Sequence, residues 1–178
     1  MSAYYFTRQF DINALDITLK LEQKYEELGA GVGCVGLTAA CLGANVILTD
    51  LPEIIPLLER NVLLNIEYVK NNKGKTDVIP LPWGTNVLKE KPDIILLADC
   101  IYYIQSIEPL ICTLRNACKE GTQIFISQEI RESEKQQECW RYFLESINKY
   151  FKIKNIPLEE QDEEFRSSDI VIMQLSIS

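Results

Sequence analysis

Histidine is absent from all 178 residues of the chain. That removes the imidazole on which Ser-His-Asp and Cys-His catalysis depend, and leaves proton transfer to carboxylates, tyrosine, lysine or water. The six cysteines, at positions 34, 41, 100, 112, 118 and 139, include no C-x-x-C pair. A zinc site would have to be gathered from separate elements, so no metal is expected, and most thiols are expected on apolar helix faces as small hydrophobes. No apolar run approaches the length of a membrane span, and the N-terminus lacks the charged-then-apolar pattern of a signal sequence. The expectation is a soluble, cytoplasmic protein. Basic residues are also in short supply: 18 Lys and Arg against 26 Asp and Glu leave a net charge of −8. Nucleic-acid affinity rests mainly on clustered cations, so no nucleic-acid partner and no membrane partner are expected, whereas a basic peptide or protein suits this field. Repeats and low-complexity segments are missing as well.

What is present is organised around Glu27-Leu28-Gly29-Ala30-Gly31-Val32-Gly33-Cys34-Val35-Gly36. Glycines at alternate positions leave a turn without Cβ atoms, where the backbone can take positive φ and a ligand can lie against it. Cys34 to Leu42 reads as a helix with Gly43 placed to end it, and Val46 to Asp50 as a buried strand ending in an acid. This is half of a nucleotide-binding βαβ unit. Gly31, Gly33 and Gly36 also satisfy G-x-G-x-x-G, with Asp50 about as far on as the ribose-binding acid of a dinucleotide site. Spacing alone leaves NAD and S-adenosylmethionine both open.

Phe6, Phe10, Ala14, Ile17, Leu21 and Tyr25 recur at helical intervals and predict an amphipathic helix from about Asp11 to Gln23. Lys24 to Leu28 is the strand that enters the glycine turn, although it is unusually polar for a central parallel strand. Pro52 and Pro56 suit the start of a helix whose buried side would be Leu57, Leu58, Val62, Leu63 and Ile66, with Asn61 and Asn65 sharing a face. Asp77 to Trp83 is expected as an edge strand, because Pro80 and Pro82 cannot donate to a ladder. Pro92 to Asp99 is the clearest buried parallel strand and delivers Asp99, Tyr102 and Tyr103 to the carboxyl edge of the sheet. Ile107, Leu110, Ile111, Leu114 and Cys118 predict a helix ended by Gly121, followed by a strand over Gln123 to Ser127. Gln136, Trp140, Phe143, Leu144, Ile147 and Phe151 would line a further helix. Lys152 to Pro157 and Ile170 to Ser178 would be the last two strands, with a mostly acidic loop between them. One α/β domain over residues 1–178 is the expectation, the length being enough for one sizeable core.

Alternating strands and helices that finish on two consecutive strands resemble the class I S-adenosylmethionine-dependent methyltransferase sheet, seven-stranded and Rossmann-like. The motifs narrow the likeness. Glu27-Leu-Gly-Ala-Gly-Val-Gly33, Thr49-Asp50-Leu51-Pro52, Asn61 with Asn65, Trp83-Gly84, Ala98-Asp-Cys-Ile-Tyr-Tyr103 and Asp162-Glu-Glu-Phe-Arg-Ser-Ser-Asp169 resemble the methyltransferase-like protein-lysine methyltransferases that share a D-x-x-Y motif. Within that family the motifs resemble the branch acting on valosin-containing protein, a hexameric AAA ATPase.

The resemblance implies a mostly parallel sheet with an antiparallel last strand and helices on both faces. It implies a protein-lysine N-methyltransferase with S-adenosylmethionine as cofactor and a protein partner, a AAA ATPase of the valosin-containing protein type. Carried onto this chain, Gly29, Ala30 and Gly31 would approach the methionine and ribose, Asp50 would bind the ribose hydroxyls, Trp83 would pack at the adenine and Ala98 would offer backbone contacts. Asp99 and Tyr102 would be the D-x-x-Y pair, orienting the incoming amine and walling the lysine channel. Relatives carry a longer front section with a Trp-Asp element, whereas about 26 residues precede the motif here and Phe10-Asp11 is a loose counterpart. An abbreviated N-terminal region is therefore expected. Two other readings stand beside this one: a dehydrogenase, for which Tyr150 and Lys154 form a Y-x-x-x-K pattern, and a non-catalytic methyltransferase-like binding protein.

Overall fold

The computed structural model describes residues 24–85 and 90–177. The helix expected over Asp11 to Gln23, and the Phe10-Asp11 pair, lie outside the described residues. Within them, seven strands form one sheet: β1 (Lys24–Leu28), β2 (Asn45–Asp50), β3 (Lys75–Pro80), β4 (Ile94–Ala98), β5 (Gln123–Glu129), β6 (Phe151–Ile156) and β7 (Ile170–Ile177). Four α-helices connect them: α1 (Cys34–Cys41), α2 (Ile55–Asn71), α3 (Ile107–Ala117) and α4 (Glu134–Ile147). The order across the sheet is β3-β2-β1-β4-β5-β7-β6, parallel from β3 through β5, with β7 antiparallel to both β5 and β6. This is the Rossmann-like class I methyltransferase sheet.

From β1 the chain builds outward through β2 and β3, then returns to place β4 on the other side of β1. That reversal leaves a crevice between the carboxyl ends of β1 and β4, where open α/β sheets bind ligands. Alternate residues of the strands serve two apolar cores. Val46 and Leu48 pack with Leu37, Ala40, Leu58, Val62 and Val69 beneath α1 and α2. Leu28, Ile95, Leu97, Ile124 and Ile126 pack with Leu110, Leu114, Phe143 and Ile147 beneath α3 and α4. Each fully buried leucine or isoleucine contributes roughly 1.5–3 kcal/mol of transfer free energy, so the crevice stands on a stiff base.

The expected polarity of β1 has a local cause. Leu28 enters the α3 and α4 core, while its neighbour Glu27 points to the other face and is buried against the start of α1. Several expectations need correction. On α2, Leu63 is 69% exposed and Ile66 half-buried, because the inward side runs through Leu58, Val62 and Val69 instead. Phe151 is not on α4 but opens β6, paired with Ile177. Strand β5 runs on to Glu129, two residues past the expected end, carrying Gln128 and Glu129 to the crevice edge. Cys34 and Cys112 are exposed, and Cys100 lies in the loop after β4, so only part of the thiol set lines helix interiors.

Candidate functional site

The loop after β1 is built by glycines with different duties. A Cβ on Gly33 would sit 2.6 Å from Leu58 Cδ1, and one on Gly36 would sit 2.5 Å from Glu27 Oε2, so both are packing positions. Gly31 has φ +56° and open space where a Cβ would stand. The turn is fastened from every side. The Gly36 N–H donates to Glu27 Oε2 at 2.9 Å, Ala30 N–H to the Thr49 carbonyl at 2.9 Å, and Asn61 Nδ2 to the Val32 carbonyl at 2.9 Å. Asn61 thereby straps α2 to the turn, whereas Asn65 donates to the Asn61 backbone carbonyl within α2 and does not reach the turn. Burial pushes the Glu27 carboxyl up to about 7, against the lowering effect of the Gly36 and Val35 N–H groups, with a further upward push from Asp50.

Asp50 stands at the end of β2 beside this turn. Its Oδ2 accepts from the Gly31 N–H and its Oδ1 from the Leu51 N–H, each at 2.7 Å. A carboxylate oxygen can accept more than one hydrogen bond, so both retain capacity toward the open face over Gly31. On the opposite flank, Trp83 is half-buried against the α3 core, and Gly84 N–H donates to Thr113 Oγ1 at 2.8 Å, which fixes the loop on α3. The indole closes on Gly29: a Cβ there would lie 3.0 Å from Trp83 Cζ2 and 3.1 Å from Cys100 Sγ.

The end of β4 supplies the second acid. Asp99 takes a left-handed backbone conformation, φ 50°, and its N–H donates to the Ser127 carbonyl at 2.8 Å. Its Oδ1 accepts from Gln128 Nε2 at 2.7 Å and its Oδ2 from Arg131 Nη2 at 2.5 Å. Gln128 is buried and also accepts from the Ile101 N–H at 3.0 Å, which fixes the orientation of its amide. The Cys100 thiol donates to the Leu28 and Ala98 carbonyls, at 3.2 and 3.3 Å, tying β1 to β4. Burial pushes that thiol up to about 12, so it stays protonated and is no nucleophile. Tyr102 and Tyr103 stand exposed beyond it, edge to face at 4.6 Å. The Tyr102 phenol is held above its ordinary range by desolvation first, then by Cys100, Tyr103, Asp50 and Asp99. One side chain therefore lies within the field of both acids.

Gly29, Ala30, Gly31, Asp50, Trp83, Ala98, Asp99 and Tyr102 all lie at this one edge, at the ends of β1, β2, β3 and β4 or in the loops that follow. The sequence reading missed Gln128, Glu129 and Arg131. Their signal was placement: strand β5 neighbours β4, and whatever follows its carboxyl end reaches the same crevice. Tyr150 and Lys154 are elsewhere. Tyr150 precedes edge strand β6, under the Arg115 guanidinium at 4.0 Å, and Lys154 pairs with Glu160 at 4.0 Å. The described residues include no cluster of three or more side chains suited to a metal ion, and no helix among them is long and apolar enough to cross a membrane.

The residues present suit an adenosyl sulfonium. Gly31 offers an uncovered backbone face, Asp50 offers a paired acceptor for vicinal hydroxyls, and Trp83 offers a flat apolar wall.

Comparison with known proteins places the chain in a family. A family model described as lysine methyltransferase matches residues 1–150. The chain is 30% identical over 164 residues to EEF1A lysine methyltransferase 3 of Xenopus tropicalis, covering 91% of this chain and 69% of that protein. It is 34% identical to protein-lysine methyltransferase METTL21E of Mus musculus, over 73% of this chain and 53% of the relative. Identity to protein N-lysine methyltransferase METTL21A of Danio rerio is 33%, over 76% and 60%. The chain thus spans about half to two thirds of the length of these relatives. Among solved structures, the glycopeptide N-methyltransferase MtfA complexed with S-adenosyl-L-methionine superposes with a TM-score of 0.70 at 10% identity, covering 89% of this chain and 82% of that one.

Proposed function

This chain belongs to the lysine methyltransferase family, and from that premise we propose that it is a protein-lysine N-methyltransferase that takes its methyl group from S-adenosylmethionine. The observation that carries the reading is the pair of acids flanking the glycine turn, Asp50 at the end of β2 and Asp99 just past β4, with Tyr102 in the field of both.

Gly29, Ala30 and Gly31 would lie against the methionine and ribose, Asp50 would accept from the ribose hydroxyls, Trp83 would cover the adenine and the Ala98 backbone would complete the wall. The cofactor supplies an electrophilic methyl on a sulfonium: a nitrogen–carbon bond forms as the carbon–sulfur bond breaks, and the nitrogen must arrive as a neutral amine. The chain's own part is alignment. Asp99, held by Gln128 and Arg131, presents a fixed acceptor that orients the amine, and the exposed Tyr102 ring walls the channel. The ammonium proton passes to water: no histidine is present, and both oxygens of Asp99 are already engaged by Gln128 and Arg131, so the acid acts as an acceptor that orients the amine and not as the base.

The substrate we propose is a AAA ATPase of the valosin-containing protein type, on the likeness carried by the Ala98–Tyr103 and Asp162–Asp169 motifs. A relative named for EEF1A makes elongation factor 1A the competing substrate. The dehydrogenase reading has lost its support, since Tyr150 and Lys154 lie at the far edge of the sheet. A non-catalytic binding protein is the remaining alternative. Calorimetric titration with S-adenosylmethionine and with NAD, followed by labelled transfer to valosin-containing protein and to elongation factor 1A, tests the reading. Binding of S-adenosylmethionine alone with label on lysine is expected. Binding without transfer to either protein would favour the non-catalytic alternative.

A further inference from the structure

Arg131 belongs to none of the motifs that mark this site, yet its guanidinium is built into the site. Its Nη2 lies 2.5 Å from Asp99 Oδ2, and its Nε lies 3.2 Å from Glu129 Oε2. Gln128 holds the other oxygen of Asp99 at 2.7 Å. The carboxylate offered to a substrate is therefore paired before any substrate arrives. Among the described residues, Glu129 on β5 shares the guanidinium with Asp99, and Cys100 and Tyr102 after β4 lie within the field of Asp99, as they do within that of Asp50 on β2. All of these are acids, and Arg131 is the cation that the described residues pair with Asp99.

This matters because an unpaired carboxylate beside a lysine stabilises the ammonium form and raises the amine above its ordinary value of roughly 10.4. Methyl transfer needs the opposite form. An acid paired with a guanidinium can still accept one N–H through its free lone pairs, and it stabilises the ammonium form less than an unpaired acid would. We propose that Arg131 is a positioning residue that offsets part of the charge of Asp99, so that the substrate lysine meets an oriented acceptor and gives up its ammonium proton to water more readily before attack. The proposal rests on the lysine methyltransferase reading. Glu129 accepts from the Arg131 Nε, which holds the guanidinium at two points while sharing its charge between the two acids.

The test is the pH profile of kcat/KM for wild type, Arg131→Gln and Arg131→Lys, with labelled S-adenosylmethionine and both valosin-containing protein and elongation factor 1A as substrates. Calorimetry of S-adenosylmethionine binding and thermal melting serve as folding controls. Arg131→Gln should bind the cofactor as wild type does and lose about tenfold in kcat/KM near neutral pH. Its acid limb should move up by roughly one unit, with activity recovering on the alkaline side. Arg131→Lys should keep the wild-type limb. Glu27 titrates alike in all three proteins and drops out of the comparison. A profile for Arg131→Gln that runs parallel to wild type at every pH, or a Lys variant displaced as far as the Gln variant, would overturn the assignment alone. A wild-type protein that methylates lysine in neither substrate would overturn the functional reading, and this role with it.

Discussion

Glu27 Oε2 accepts a hydrogen bond from the Gly36 N–H at 2.9 Å, so a single buried carboxyl joins β1 to the first turn of α1 across the glycine loop. Its carboxyl is raised from 4.5 to about 7, chiefly by burial. In the unfolded chain it ionises near its ordinary value, so between those two pH values the folded state holds a proton that the unfolded state has released. Stability from this group is fully present below about 4.5 and is lost as pH rises through about 7. The loss amounts to about 3 kcal/mol at 1.36 kcal/mol per unit. Glu27→Gln, which keeps an acceptor for Gly36, should flatten the fall in melting temperature between mildly acidic and neutral pH. An unchanged slope in that variant would contradict the account.

Gly29 is held between Trp83 and Cys100 at a φ of +68°. Gly29→Ala adds both a strained backbone and contacts of 3.0 and 3.1 Å to the indole and the thiol. A destabilisation of about 1–3 kcal/mol is expected in urea unfolding, together with quenched or shifted tryptophan fluorescence as the indole gives way. Gly31→Ala has the backbone strain without the contacts and should cost less. Equal losses for the two would mean that the indole does not rest on Gly29.

Asp50 should govern cofactor affinity and leave the fold alone. Replacing it with Asn removes a charged acceptor but keeps a side chain that can accept from the Gly31 N–H. Hydrogen bonds to charged groups contribute about 1.5–3 kcal/mol, so S-adenosylmethionine binding should weaken roughly 10- to 100-fold in calorimetry. Melting without ligand should be little changed. Undiminished affinity would remove Asp50 from the ribose role.

Most of this architecture was readable before any coordinates. Pro92 to Asp99 announced a buried strand by its unbroken apolar run, and Pro80 and Pro82 announced an edge, because both signals are local properties of the residues involved. Lys24 to Leu28 gave a weak signal for a physical reason: Glu27 occupies a core position made tolerable by the Val35 and Gly36 N–H groups, eight and nine residues on. Leu63 was misplaced for a similar reason, since helical period gives a stripe but not which apolar neighbour sits at its edge. In the site, Asp50, Asp99 and Tyr102 could be found from strand ends and motif. Arg131 and Gln128 could not, because their partnership with Asp99 depends on β5 lying beside β4, a pairing of residues 29 and 32 positions apart.

The most direct measurement is mass spectrometry of valosin-containing protein and elongation factor 1A after incubation with deuteromethyl S-adenosylmethionine and either wild type or Asp99→Asn. Asparagine is the variant to use because it tolerates the left-handed backbone at φ 50°, where alanine would add strain unrelated to chemistry. Wild type is expected to place label on lysine ε-amines. Asp99→Asn is expected to bind the cofactor normally and transfer at least about 30-fold more slowly, on the order of 2 kcal/mol of lost alignment. Label on lysine at an equal rate from both proteins, or label on some other side chain, would contradict the central claim that Asp99 orients the amine.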